Sequence, residues 1–317
     1  MAKIPAGDLP PPENPNSDQP GGFGFFVRCE LLWGRLRRWF LRRFRQGHVN
    51  RWKPRRQGHC DQFENDIVDP RDLKFIRSVC GCSFDAAHDT YRRRESMGFA
   101  RYGYAELVGF SLILGLGAVL GSWLAVTFSS YFLILSTICV VFWLEVIWFF
   151  RDPERATPTD ATAVVSPADG VVTHVETVDE PDIGTQCLRV SIFLSIFDVH
   201  GNRIPIHSSV EKVSYFRGRY LDARHPDCAK QNEQLWLDLT HRDSQRRFRV
   251  KQISGAIARR IVCWVRVGEE LVTGNRYGMI KFGSRTDLII PSDAVAETLV
   301  KVGDRVRGGV TILAKWK

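Results

Sequence analysis

Two hydrophobic patterns divide this chain. From Leu107 to Leu144 there are 38 consecutive residues without a charge. One helix of that length would run to about 57 Å, against a bilayer hydrocarbon core of roughly 30 Å. The run therefore predicts two helices, 106–127 and 131–150, joined by a turn at Phe128-Ser129-Ser130. Trp123, Trp143 and Trp148 suit the membrane interfaces, and Glu145 lies close enough to its helix end to reach headgroups. Beyond residue 150 the pattern changes to short apolar or alternating runs: Val164-Val165, Val171–Val175, Leu188–Phe193, Phe248–Ile253, Arg260–Val267 and Thr286–Ile290. Gly, Pro, Asp and Asn punctuate them, which predicts a mainly β domain, sandwich- or barrel-like with some helix. Val302-Gly303-Asp304-Arg305-Val306-Arg307-Gly308-Gly309 reads as a late turn between strands.

Ahead of the apolar run the chain is of a third kind. Residues 1–22 hold six prolines and almost no large apolar side chains, the composition of a disordered lead-in. From Phe23 onward arginines interleave with aromatics. Leu32, Leu36, Phe40 and Phe44 recur every four residues on one helical face, with Arg35, Arg37, Arg38, Arg42, Arg43 and Arg45 on much of the remainder. With Trp33 and Trp39, this is the pattern of a basic helix lying on an anionic membrane surface; a solvated helix packed on the protein is the plainer alternative. The expected organisation is a disordered segment 1–22, a basic amphipathic arm 23–104, a transmembrane helical hairpin 105–150, and a β domain 151–317.

Charge sharpens this division. The formal net charge is +9, but residues 1–104 carry 19 Lys/Arg against 12 Asp/Glu, and residues 105–317 carry 25 against 23. The near-neutral C-terminal part argues against a nucleic-acid partner and for an arm that meets an anionic surface. Arg92, Arg93, Arg94 and Arg101 precede the hairpin and Arg151 and Arg155 follow it, so both of its ends are expected on the cytoplasmic side of the inner membrane. Met1-Ala2-Lys3-Ile4-Pro5 lacks the apolar core of a secretory signal. The eight cysteines show no paired CxxC spacing; no metal site is expected, and the thiols are expected to be free.

Three segments of the β domain carry candidate chemistry. Ser166-Pro167-Ala168-Asp169-Gly170 alone reads as a tight turn. His200, in Phe197-Asp198-Val199-His200-Gly201-Asn202-Arg203-Ile204-Pro205, alone reads as a buried core histidine. Gly283-Ser284, in Lys281-Phe282-Gly283-Ser284-Arg285-Thr286-Asp287, alone reads as another turn. Together, a serine, a histidine and an aspartate on separate segments are the parts of an activated nucleophile. A glycine carbonyl directly before the serine makes the backbone itself the nearest target.

These stretches, with Phe149–Arg155, Ser191–His200, Ala258–Trp264 and Tyr277–Arg285, resemble the phosphatidylserine decarboxylase family in its short bacterial and archaeal form. The resemblance covers roughly residues 105–317. It implies a pyruvoyl enzyme made by self-cleavage between Gly283 and Ser284, giving a β chain 1–283 and an α chain 284–317. Ser284 is then both the nucleophile and the source of the pyruvoyl cofactor. Asp169 and His200 are the positions matched to its assistance, and Arg203 is a candidate for the carboxylate or phosphate of phosphatidylserine. The long form has a second histidine where this chain has Arg203, which leaves the base for cleavage open among His200, Asp169 and, less favoured, His207 and His225. An oligomer of the αβ unit is expected. Two other readings stand beside this one: decarboxylation of archaetidylserine, and a non-catalytic membrane adaptor or biotinyl/lipoyl-like carrier. A carrier needs a modifiable lysine at a hairpin tip, and Lys281 is not flanked in that manner.

Overall fold

The computed structural model of the chain describes residues 25–59, 61–77, 80–180, 182–216, 218–225, 227–256, 260–281 and 284–317. The expected lead-in 1–22 and Gly283 lie outside the described residues. The helices are α1 (Phe25–Phe44), α2 (Gln46–Trp52), α3 (Arg92–Ser96), α4 (Tyr104–Thr127), α5 (Phe132–Phe149) and α6 (Cys228–Gln231). The strands are β1 (Ala163–Val165), β2 (Gly170–Glu180), β3 (Gly184–Leu194), β4 (Gly201–Arg203), β5 (Ser208–Phe216), β6 (Gln234–His241) and β7 (Arg247–Ser254). They continue with β8 (Arg260–Cys263), β9 (Glu270–Leu271), β10 (Arg276–Lys281), β11 (Ser284–Pro291), β12 (Val295–Thr298), β13 (Arg305–Val306) and β14 (Ile312–Trp316). Arg38–Thr90 pack with Arg155–Lys317 in one compact unit, and the preceding part of α1 joins Tyr91–Glu154 in a second.

In the second unit the uncharged run forms α4 and α5, within two residues of the expected bounds. Both are long and apolar enough to cross a membrane. They meet through small residues. Ser122 and Ser136 share a hydrogen bond at 2.9 Å, Ser136 Oγ donates to the Ala118 carbonyl at 3.0 Å, and a Cβ on Gly121 would lie 2.8 Å from Ser136 N. Close backbone approach of this kind is how helices associate where no hydrophobic effect drives them together.

In the first unit an antiparallel sheet runs in the order β13-β2-β3-β11-β7-β6-β5-β9, beside the smaller sheets β4-β10-β8 and β1-β14-β12. Side chains alternate along each strand. One face of the large sheet is a core: Val190, Ile192 and Leu194 of β3 lie beside Leu288 and Ile290 of β11, then Phe248 and Val250 of β7, then Leu235, Leu237 and Leu239 of β6. The other face is also buried, yet carries charges. Arg285 Nε donates to Asp287 at 2.6 Å, and Arg249 donates to Asp238 and to Glu180, each at 2.5 Å. Pairing is what permits charge at these positions, since a lone buried charge is far costlier.

One expectation is corrected. Cys80 is disulfide-bonded, whereas Cys29, Cys82, Cys139, Cys187, Cys228 and Cys263 are free. Bridging depends on Cα separation in the fold rather than on sequence spacing. The Gln57↔Ser83 bridge, which draws two distant segments together here, has no CxxC-like signature.

Candidate active site

Ser284 is the first residue of β11, paired with Leu194 of β3 on one side and Ser254 of β7 on the other. It has no exposed surface, and its hydroxyl finds no hydrogen-bond partner among the described residues. Ser254, directly opposite, is in the same condition. Buried polar groups are nearly always satisfied, so an idle hydroxyl at a strand head calls for a chemical explanation.

Asp169 arrives from the other side of β3. Val171 pairs with Phe193, so the Asp169-Gly170 step abuts the same end of β3 as Ser284, two strand spacings or roughly 10 Å across the sheet. Gly170 has φ +148°, and a Cβ there would overlap the Phe193 carbonyl. Only glycine lets the chain enter β2 so close to β3. The Asp169 carboxylate is held by both arms of Arg155, with Arg155 Nη2 to Oδ2 at 2.7 Å, and by the Gly308 amide at 2.8 Å. Three donors fix it and match its charge.

His200 comes in from the small sheet. Its carbonyl accepts from Ile280 N at 3.4 Å, four residues before Ser284. The ring is fully buried, and Nδ1 lies 2.8 Å from the Asp198 carbonyl. A carbonyl can only accept, so Nδ1 carries the proton and Nε2 is the basic atom. The turn supporting this contact is pinned in its own right: Asp198 accepts from Ser195 N at 2.9 Å, Ser195 Oγ at 2.7 Å and Arg305 at 2.6 Å. Arg203 is buried, with Nη1 donating to the Gly274 carbonyl at 3.2 Å and its backbone amide to the Pro167 carbonyl at 2.8 Å. His207 is half-buried, and His225 is exposed and accepts from Asp227 N.

The residue that joins these segments is one the sequence reading did not single out. Asn202 Nδ2 donates to Thr286 Oγ1 at 3.2 Å, and Asn202 Oδ1 accepts from Gln252 Nε2 at 2.7 Å. Thr286 is two residues past Ser284 on the same face of β11, and Asn202 is two residues past His200. The network therefore ties the His200 segment to the strand that Ser284 heads. Gln252 carried a detectable signal: it is polar at the position where the Phe248, Val250 alternation calls for a core residue. Arg155 closes the Phe149–Arg155 stretch, but nothing in the sequence links it to Asp169. Lys281 is buried at the end of β10, unlike the exposed hairpin-tip lysine of a carrier domain.

Comparison with known proteins places the chain in a family. The family described as phosphatidylserine decarboxylase matches residues 143–314. The chain is 39% identical to a phosphatidylserine decarboxylase proenzyme of Rhodopirellula baltica over 246 residues, 77% of this chain and 99% of the relative. It is 39% identical over 221 residues to the proenzyme of Geobacter metallireducens, covering 70% and 98%. Over 173 residues it is 46% identical to that of Symbiobacterium thermophilum, covering 54% and 79%.

Proposed function

Because this chain belongs to the phosphatidylserine decarboxylase family, we propose that it cuts itself between Gly283 and Ser284 and then converts phosphatidylserine to phosphatidylethanolamine for membrane lipid synthesis. The observation that carries the reading is the buried Ser284 hydroxyl at the head of β11, without a partner among the described residues, on whose end of the sheet the His200 and Asp169 segments converge.

His200 is the base. Its Nδ1 proton is engaged by the Asp198 carbonyl, which leaves Nε2 to take the proton from Ser284 Oγ. The oxygen then attacks the Gly283 carbonyl carbon, and the acyl group shifts from nitrogen to oxygen. Elimination across the Ser284 Cα–Cβ bond expels the Gly283 carboxylate as the new end of the β chain. The dehydroalanine left at residue 284 takes up water and loses ammonia, becoming pyruvoyl. Asp169, already paired with Arg155, holds the turn and the field rather than carrying a proton. The pyruvoyl group supplies an electron sink for loss of carbon dioxide from an amine-bearing substrate. Arg203 sets a positive charge near the Asp169 turn, suited to an anionic group of that substrate.

Both products stay in one molecule. The α chain, 284–317, contributes β11 between β3 and β7 and β14 between β1 and β12. The two chains share the sheet and its core, and the αβ unit is the building block of any oligomer. The arginines flanking α4 and α5 favour a catalytic unit on the cytoplasmic face of the inner membrane.

Intact-mass measurement tests this directly. Wild-type protein should yield a 34-residue α chain, residues 284–317, with a blocked N-terminus. Ser284→Ala should stay 317 residues long and release no carbon dioxide from phosphatidylserine. Wild-type turnover by that variant would sink the mechanism.

A further inference from the structure

α1 exposes the side that a soluble helix would bury. Stepping about 100° per residue, Leu32, Trp33, Leu36, Trp39, Phe40 and Phe44 form a stripe roughly 140° wide. All six are exposed. Leu31, Gly34, Arg38 and Leu41, on the opposite side, are half-buried. Arg38 anchors that side, donating to Asp72 at 3.3 Å and lying 3.6 Å from Asp66. Arg28 and Arg35 rim the stripe and Arg43 stands at its end, all three exposed, and Glu30 is the helix's one acid.

A protein core would cover such a stripe without needing the arginines. A headgroup layer uses both: tryptophan and phenylalanine enter the acyl boundary while guanidinium groups meet lipid phosphates and carboxylates. The family match begins only at residue 143, well past α1, so the shared chemistry does not require this helix.

We propose that α1 lies in the headgroup layer of an anionic leaflet and that its grip follows the local content of substrate. This rests on the decarboxylase reading above. Breaking the bond between the serine headgroup's Cα and its carboxylate releases carbon dioxide, and a solvent proton replaces it on the carbon. Each lipid turned over thereby passes from net negative to neutral. The reaction erases the charge that holds α1, so the arm stays down where substrate is plentiful and lifts where product has accumulated.

The test uses the full chain in liposomes, with an environment-sensitive fluorophore on Cys29, whose thiol is free and exposed, in a Cys139→Ser background. Three bilayers are compared: phosphatidylcholine alone, with phosphatidylserine, and with phosphatidylglycerol, which is anionic but not a substrate. The fluorophore should report a lipid environment on both anionic bilayers and water on phosphatidylcholine. On phosphatidylserine the signal should decay with carbon dioxide release, and it should persist with Ser284→Ala or on phosphatidylglycerol. Replacing Arg28, Arg35 and Arg43 together by glutamine should weaken docking on the order of 100-fold. Equal signals on all three bilayers, or wild-type docking by the triple variant, overturn the proposal. Carbon dioxide release without docking removes the α1 inference alone. Docking on phosphatidylglycerol without carbon dioxide release from phosphatidylserine removes the decarboxylase reading and the substrate-following role, and leaves the anionic contact standing.

Discussion

Replacing Asn202 by leucine tests whether the polar network, rather than apolar packing, holds the site together. Asn202 has no exposed surface, and neither do Thr286 and Gln252. The substitution keeps similar bulk but strands two groups, Gln252 Nε2, which donates at 2.7 Å, and Thr286 Oγ1, which accepts at 3.2 Å. Each buried orphan costs about 1–3 kcal/mol, so the variant should lose roughly 2–5 kcal/mol. A second change, Gln252→Leu, removes one orphan. The double variant should therefore recover about 1–2 kcal/mol relative to Asn202→Leu alone, a non-additivity that a purely steric role would not produce.

Self-cleavage should respond as well, because the same side chain sets the spacing between the His200 segment and β11. A displacement of about 1 Å at a reacting centre costs on the order of 100-fold in rate. The assay pairs denaturant unfolding of the detergent-solubilised chain with the rate at which the 284–317 fragment appears after synthesis. If Asn202→Leu unfolds within about 0.5 kcal/mol of wild type and cleaves at the wild-type rate, the network does not hold the site. If the double variant is less stable than the sum of the singles, the orphan argument is wrong.

Three other outcomes are expected. Arg155→Met leaves the buried Asp169 carboxylate with the Gly308 amide alone among the described residues and should cost about 3–5 kcal/mol in the same unfolding measurement, with slower cleavage. Gly309→Ala puts a side chain on a residue at φ +75°, with its Cβ 2.7 Å from Arg203 Cδ, and should cost about 1–3 kcal/mol; unchanged stability would show that neither the backbone conformation nor the Arg203 contact is held there. Burial pushes the Lys251 ammonium below its ordinary 10.5, against the pull of Glu180. Between the lowered value and 10.5 the unfolded chain binds more protons than the native one, so stability should rise with pH there, and Lys251→Met should flatten that rise in denaturant titrations across pH.

The legible parts of this protein were those where neighbouring residues act together. The uncharged run announced α4 and α5, and β3, β7 and β11 stood out through short apolar or alternating stretches: Leu188 to Phe193, Phe248 with Val250, and Leu288 to Ile290. β5 and β6 did not, since Glu211, Lys212 and Asp238 interrupt them. Asp238 is buried only because Arg249, eleven residues on, neutralises it. The same holds at the site. Ser284, His200 and Asp169 lie in stretches that carry the family resemblance, whereas Arg155 and Gln252 meet their partners across distant segments. For α1 the periodicity revealed the stripe but not its direction. That was decided by Arg38 meeting Asp72, a pairing across 34 residues that leaves the apolar side outward.

Burial imposes opposite demands on the two proposed reactions. A serine that attacks the carbonyl next to it needs no entrance, and water at that point would only compete for the acyl group. Ser284 and His200 accordingly have no exposed surface. A lipid headgroup does need an entrance. In the intact chain only two residues separate the end of β10 at Lys281 from the start of β11 at Ser284. On the proposed mechanism scission falls between these two strands, with β11 paired to β3 and β7 and β10 paired to β8 and β4. The proposed scission thus cuts one of the covalent links between the two sheets beside Ser284, and the residue it consumes is the one the proposed decarboxylation uses.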